Sequence, residues 1–305
     1  SINESAEIKR LSMILLDIFK SYKIDTDRKI KVPEEVCSFF KKINSLLTKD
    51  ISEYQYWDFS CKAKEEYRCN TKFGISGNEE EIDIKTVKEF LNAVVVKIDR
   101  GLKKAYKKKS GVYYTYFINE VIDYEIIRSD NGKPIKDENG WPYVKPLKFS
   151  QRPIPYFLEG PVHVMRVEKY INKVRKLYNS IKNTGLYDNK LGMYVVNDYI
   201  MDETKEIGRQ NVFPRGWLEN EAVFLHMEYK YLLELLISGL YEEFFHDFKK
   251  ALVPFLDPAV YGRSILENST FIVSTAHLDK KIHGKGYVSR LTGASAEFLS
   301  MWLCM

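Results

Sequence analysis

Apolar positions recur at helical spacing along most of the chain. In "SAEIKRLSMILLDIFK", residues 5 to 20, Ile8, Leu11, Leu15 and Phe19 fall on one face, which predicts an amphipathic helix. A second helix follows in "VPEEVCSFFKKINSLL", with Pro33 at its first turn and acidic residues beside it, as a helix start prefers. "SEYQYWDFSCKAKEEYR" carries a third, and "NTKFGISGNEEE" supplies a turn-rich break. From Asp83, the positions Ile84, Val87, Leu91, Val94, Ile98 and Leu102 mark the apolar face of a fourth.

The period changes at 112. "VYYTYFINEVIDYEII" is rich in Tyr, Ile and Val, and "SDNGK" and "DENGW" follow as turn signals, so a β-rich insertion with a small β-hairpin is expected at about 112–155. After "QRPIPYFLEGP" the helical period returns, with Val167, Ile171, Val174, Tyr178 and Ile181 on one stripe. A loop with Gly185 and Gly192 leads to "RGWLENEAVFLHMEYKYLLELLISGLYEEFFHDFKKAL", which reads as two helices separated near Gly239. A polar, Gly-rich stretch from 257 to 289 precedes a final helix. Strands do not alternate with helices, which disfavours a parallel sheet. The expected fold class is mainly α, a single helical domain over 1–305 built as an α/α toroid or an irregular bundle.

Composition narrows the class further. At 305 residues the chain sits at the upper edge of what one core organises, and 45% hydrophobic with 29% charged residues is the balance of a soluble globular protein. The 21 Tyr and 17 Phe suit a cleft for flat, hydroxylated ligands. The net charge of +5 is spread out, and its densest run, "RGLKKAYKKKSG", closes a helix where cations suit the dipole. No interleaved aromatic platform accompanies it, so nucleic acid is not an expected partner. Cys37, Cys61, Cys69 and Cys304 form no CxxC pair and read as reduced thiols. No apolar run approaches the roughly 20 residues that span a bilayer and no signal-peptide pattern opens the chain, so a cytoplasmic protein without a membrane partner is expected. A chain that opens at Ser1 and stops at Met305 inside a helix is read as a piece of something longer.

Three features carry candidate chemistry. If "GWLENEAVFLHMEYKY" is helical, Glu219 and His226, seven apart, share one face and could bind metal, transfer a proton or grip a polar ligand, while a hydrogen-bonded core histidine is the plainer role for His226. The histidines at 163, 226, 246, 277 and 283 make no metal set. In "SRLTGASAEFLSMW", residues 289 to 302, Thr292 either caps the last helix or joins the amides of Gly293 and Ala294 in holding an anion. Between these segments lies a long polar loop in which Glu267 is a candidate hydroxyl-binding carboxylate or an ordinary solvated acid.

Taken in order, "GRQNVFPRGWLENEAVFLH", a Glu-bearing loop and "SRLTGASAEFLSMW" resemble the C-terminal half of the helical catalytic domain of cellobiose phosphorylase-type enzymes, the inverting glycoside phosphorylases of glycoside hydrolase family 94. In that family a Glu-Asn pair precedes a helix bearing a phosphate-binding His, and a Thr-Gly pair follows. Glu219 and Asn220 match the first pair, His226 the histidine, and Thr292 and Gly293 the second pair. "GLYDNKLGMYVVN" is similar to the family's loop before the Glu-Asn motif. The likeness covers about 185 to 303 and is thin before that. Glu267 fits the start of the family's Glu-Pro-Tyr-Val-Tyr-Ala-Gln segment, whereas Val273 stands where its Gln would be.

The resemblance implies part of an (α/α)6 barrel, completed in a full-length enzyme by an upstream β-sandwich and a further barrel segment. It implies no cofactor, with inorganic phosphate as co-substrate and an oligosaccharide as substrate, and it leaves room for a homodimer. Phosphate would attack the anomeric carbon while one carboxylic acid protonates the leaving oxygen, giving a sugar 1-phosphate of inverted configuration. His226, Thr292 and Gly293 would hold phosphate, and Glu219, Asn220 and Glu267 the sugar. The family's Asp-Trp-Asn-Asp acid loop has its nearest echo in "YQYWDFS", which makes Asp58 the candidate acid. The alternatives are an inverting hydrolase or transglycosylase on the same toroid and a non-catalytic sugar-binding scaffold.

Overall fold

The computed structural model describes residues 1–288 and 292–305, and about half of the chain is helical. The described elements run α1 (Ile2–Ser21), β1 (Lys29–Pro33), α2 (Glu34–Thr48), α3 (Glu53–Thr71), β2 (Glu79–Asp83), α4 (Ile84–Ala105), β3 (Tyr106–Lys107), β4 (Val112–Tyr113), β5 (Phe117–Ile126) and β6 (Val144–Pro153). They continue with α5 (Glu159–Val167), α6 (Ile171–Ile181), β7 (Tyr187–Asp188), β8 (Met193–Tyr194), β9 (Val223–Phe224), α7 (Leu225–Ile237), α8 (Tyr241–Ala251), α9 (Pro258–Tyr261), β10 (Phe271–Ile272), β11 (Gly286–Tyr287) and α10 (Thr292–Cys304). The chain is mainly α, with small antiparallel sheets, as the periodicity predicts. Among the described residues, no helix is long and apolar enough to cross a membrane.

Two compact units emerge, one comprising residues 1–7, 102–118 and 151–305, the other 8–101 and 119–150. In the latter, α2 and α3 pack with Phe39 stacked on Tyr67 at 5.0 Å between ring centres. A capping box starts α3: the Ser52 hydroxyl accepts from the Gln55 amide at 3.2 Å, and the Ser52 amide donates to Gln55 Oε1 at 3.0 Å. The aromatic face of α3 holds the long hairpin of β5 and β6, since Trp57 meets Phe149 edge-on at 4.9 Å and the Tyr54 hydroxyl donates to the Pro146 carbonyl at 2.6 Å. Strands β1 and β2, absent from the sequence reading, pair Lys29 with Asp83 and Lys31 with Glu81 across an antiparallel ladder. β1 alternates Lys29, Ile30, Lys31 and Val32, so one face pairs Ile30 with the buried Ile82 while the other sets opposite charges across the ladder.

On α1 the stripe expected to face a core lies open instead: Ile8, Leu11 and Leu15 are each roughly half exposed, while Ala6 and Ser12 are buried. Beyond the buried Ile2, small side chains rather than the long apolar ones face inward on this helix.

The larger unit has the denser core. Val162, Leu177, Tyr178, Leu232, Leu235 and Phe244, from α5, α6, α7 and α8, are buried within it, and Met301 buries the middle of α10. Polar groups bind the layers as well. Arg166 on α5 donates to Glu234 on α7 at 2.5 Å and approaches Glu7 at 3.4 Å, and His163 lies 2.7 Å from Glu7, which fixes the start of α1 against α5. Deeper still, the buried Asp247 carboxylate receives the Tyr194 hydroxyl at 2.6 Å and the Lys182 ammonium at 2.9 Å, with His246 Nδ1 also at 2.9 Å. A buried charge with three such partners meets the condition under which burial is tolerated.

Candidate functional site

The segment from Trp217 to Phe224 decides how the candidate residues are arranged. Helical periodicity predicts that Glu219 and His226 share a helix face, but α7 begins only at Leu225. Before it, Trp217 and Asn220 exchange backbone hydrogen bonds in a tight turn, and Leu218 (φ 52°) and Glu221 (φ 53°) take left-handed conformations. Val223 and Phe224 then pair with Ile272 and Phe271 of β10. This extended pairing buries Ala222, Phe271 and Val273 together, under Trp217 and Tyr287. The apolar run that reads as the start of a helix is therefore the inside of a three-stranded sheet, and Glu219 and His226 do not share a helical face.

His226 is the second residue of α7, which starts without a side-chain cap at Phe224. The amide of Leu225 is taken by the Thr270 carbonyl at 3.1 Å. The remaining amides of the first turn have no intrahelical acceptors, so the positive end of the helix lies at the histidine. Against it stands the first turn of α10. Gly293 is in such close contact that a Cβ there would lie 2.7 Å from both Cγ and Nδ1 of the imidazole. One turn further along α10, Glu297 Oε1 lies 3.4 Å from His226 Nε2. The structure thus brings His226 onto Gly293, the chain neighbour of Thr292, where α7 and α10 begin, although 65 positions of sequence separate His226 from the Thr-Gly pair. Residues 289–291, which open "SRLTGASAEFLSMW", lie outside the described residues.

Asn268, in the loop before β10, ties this corner together: it accepts from the Tyr229 hydroxyl at 3.1 Å and reaches Ser295 of α10 at 3.4 Å. Neither Asn268 nor Glu297 is marked in the sequence, because each matters only through a partner on another helix.

The remaining candidates are placed elsewhere. Glu219 forms a two-pronged ion pair with Arg209, at 2.6 and 3.3 Å. Asn220 is buried; its amide donates to the Phe213 carbonyl at 2.8 Å, and its Oδ1 has no partner among the described residues. Glu267 is half exposed, and its carboxylate faces Arg263 at 3.3 Å. Val273 is wholly buried beside Ala222 and Phe271. Asp58 lies on α3 in the smaller unit, where Lys62 pairs with it at 2.8 Å. Among the described residues no three His, Cys, Asp or Glu side chains converge in a way that could hold a metal ion.

Glu221 lines a cavity of about 320 Å³ with the polar side chains of Tyr187, Asp188, Lys190, Ser274 and Thr275. Arg215 clamps the Glu221 carboxylate at 2.6 and 2.8 Å, and the Asn197 side chain accepts from its amide at 3.0 Å. Asp188 holds the wall: one oxygen accepts from the amides of Lys190 and Leu191 and the other from that of Thr275 at 2.7 Å. Nearby ionised groups and burial also shape the acids of the larger unit. Burial pushes Glu228 well above the usual carboxylate range, the Asp247 charge adds to this, and the Tyr194 amide opposes it. Glu234 is raised for the same first reason, against the pull of Arg166.

Such an arrangement can seat an anion where α7 and α10 begin and can meet hydroxyl groups in the cavity beside Glu221. Compared with known proteins, the chain matches no family model and no curated protein sequence.

Proposed function

We propose that the chain is the helical part of an inverting glycoside phosphorylase, on an (α/α)6 toroid in the cytoplasm, acting on an oligosaccharide such as a β-glucoside with inorganic phosphate as co-substrate. The observation that carries the reading is the packing of the His226 ring on Gly293 where two helices begin. Amide groups at helix starts and the Thr292 hydroxyl are donors that a phosphate dianion needs, a histidine nitrogen can accept from the anion's own hydroxyl, and all cost little reorganisation because the helices hold them. Phosphate held there is oriented for attack on the anomeric carbon, which lowers the entropic barrier. The polar cavity beside Glu221 supports the sugar half of the reading, with donors and acceptors for ring hydroxyls. Asp58, the acid that the sequence suggests, is ion-paired with Lys62 in the smaller unit.

A second reading, a sugar-binding scaffold without turnover, draws on one observation: Asn220 is buried and Glu219 is already occupied by Arg209. One experiment separates the two. The chain is incubated with cello-oligosaccharides and phosphate, and sugar 1-phosphate is sought by phosphorus NMR, alongside titration of phosphate into the wild type, His226→Ala and His246→Ala. The phosphorylase reading expects a sugar 1-phosphate that depends on phosphate, and binding weakened far more by the His226 change. Phosphate binding untouched by His226→Ala would refute it, and binding of oligosaccharide without turnover would favour the scaffold.

A further inference from the structure

We infer that Glu297 is the positioning residue for His226, fixing which ring nitrogen faces a bound phosphate; this rests on the reading of His226 as a phosphate ligand. The imidazole touches α10 at two points. Its Cγ and Nδ1 lie against the bare α-carbon of Gly293, and its Nε2 lies 3.4 Å from the Glu297 carboxylate. Gly293 and Glu297 are four residues apart on one helix, so they share a face and a single rigid element sets both contacts. Glu297 is mostly covered, with 16% of its side chain exposed. Its carboxylate neighbour Glu234 is matched separately by Arg166, which leaves the imidazole as the group Glu297 engages.

A carboxylate this close to one ring nitrogen favours a proton on that nitrogen and thereby biases the tautomer and the rotation of the ring. Here that nitrogen is Nε2. Nδ1, left without a proton, is then the nitrogen turned toward the first turn of α10, where it can accept from the hydroxyl of a monohydrogen phosphate while the helix amides donate to its other oxygens. Glu297 has no need to touch phosphate to do this. Its charge by itself repels an anion, so positioning and repulsion predict opposite effects on affinity when the side chain is removed.

The test is long-range proton–nitrogen NMR of the histidine rings in the ¹⁵N-labelled protein, with His226 assigned by its loss in His226→Ala, recorded with and without inorganic phosphate. In the wild type the His226 ring is expected to carry its proton on Nε2, and phosphate is expected to shift Nδ1. Glu297→Ala should free the ring to turn, so that the phosphate-induced shift is no longer confined to Nδ1, and weaken phosphate binding about tenfold, the scale of one charge-assisted hydrogen bond. Glu297→Gln, which keeps an acceptor without the charge, should retain the shift at Nδ1 and the affinity. A phosphate shift that stays on Nδ1 alone in Glu297→Ala, or an affinity that rises, overturns the inference. A wild-type spectrum indifferent to phosphate overturns the phosphate reading itself, which is a separate failure.

Discussion

Replacing Glu228 by Gln should remove a pH dependence of stability that the buried acid imposes. Glu228 has no exposed surface, its Oε1 accepts from the Tyr194 amide at 2.8 Å, and its Oε2 has no hydrogen-bond partner among the described residues. Burial, helped by the Asp247 charge, raises its folded pKa well above the ordinary 4.5. The folded state therefore holds a proton that the unfolded chain releases. Stability from this group is complete below the unfolded pKa and falls as pH rises from about 4.5 towards the raised folded value, at about 1.4 kcal/mol per pH unit. Glutamine keeps the acceptor for Tyr194 and has nothing to ionise. Urea unfolding followed by circular dichroism at half-unit steps from pH 4 to pH 8 reads the difference between the two proteins. Near pH 4 they should agree to within about 1 kcal/mol, because both then carry a neutral buried group. The advantage of Glu228→Gln should then grow by about 1.4 kcal/mol per unit until the native acid ionises. A difference that stays flat with pH, or that shrinks as pH rises, would refute the claim that Glu228 is held protonated.

Gly293→Ala places a methyl group 2.7 Å from the His226 ring, so the ring must move; the variant should lose about 1 kcal/mol of stability net of alanine's better helix propensity and bind phosphate more weakly, as thermal melts and titration would show. Asp247→Ala leaves the Lys182 ammonium and the Tyr194 hydroxyl without their buried acceptor and should cost about 3–5 kcal/mol, a loss measurable by urea unfolding. At the left-handed Glu221, both Glu221→Ala and Glu221→Gly lose the Arg215 clamp, but glycine pays no steric penalty for φ 53°; Glu221→Gly should be the more stable by about 1 kcal/mol, and equal stability would show the turn is unstrained.

Much of the fold is legible in periodicity, and the exceptions have identifiable causes. The stripe from Ile84 to Leu102 becomes α4, the break near Gly239 separates α7 from α8, and the turn signals at 129–133 and 137–141 sit between the two strands of one hairpin. The start of α7 misleads because Ala222, Val223 and Phe224 are apolar for the sake of a sheet partner 50 residues away, and a local window cannot tell that from a helix face. β1 and β2 escape notice because each is only five residues long and its partner lies beyond two intervening helices. In the candidate site, the likeness of motifs anticipates that His226 and the Thr-Gly pair meet, while the contact with Glu297 follows only from the packing of α7 against α10. Glu219 is the opposite case: its neighbour in the chain, Asn220, is visible as a motif, but the ten-residue return to Arg209 that occupies it is not.

The missing side chain at position 293 also makes two distant codons answerable to each other. Helix propensity on its own favours alanine over glycine there, and the ring at 226 is what resists the exchange. In any lineage that keeps this packing, a bulky residue at 293 and an imidazole at 226 exclude one another, so the two are expected to be kept together or given up together. A chain in which 226 has become small would be free to fill 293, and such paired replacement would record the loss of the ring's seat in sequence alone.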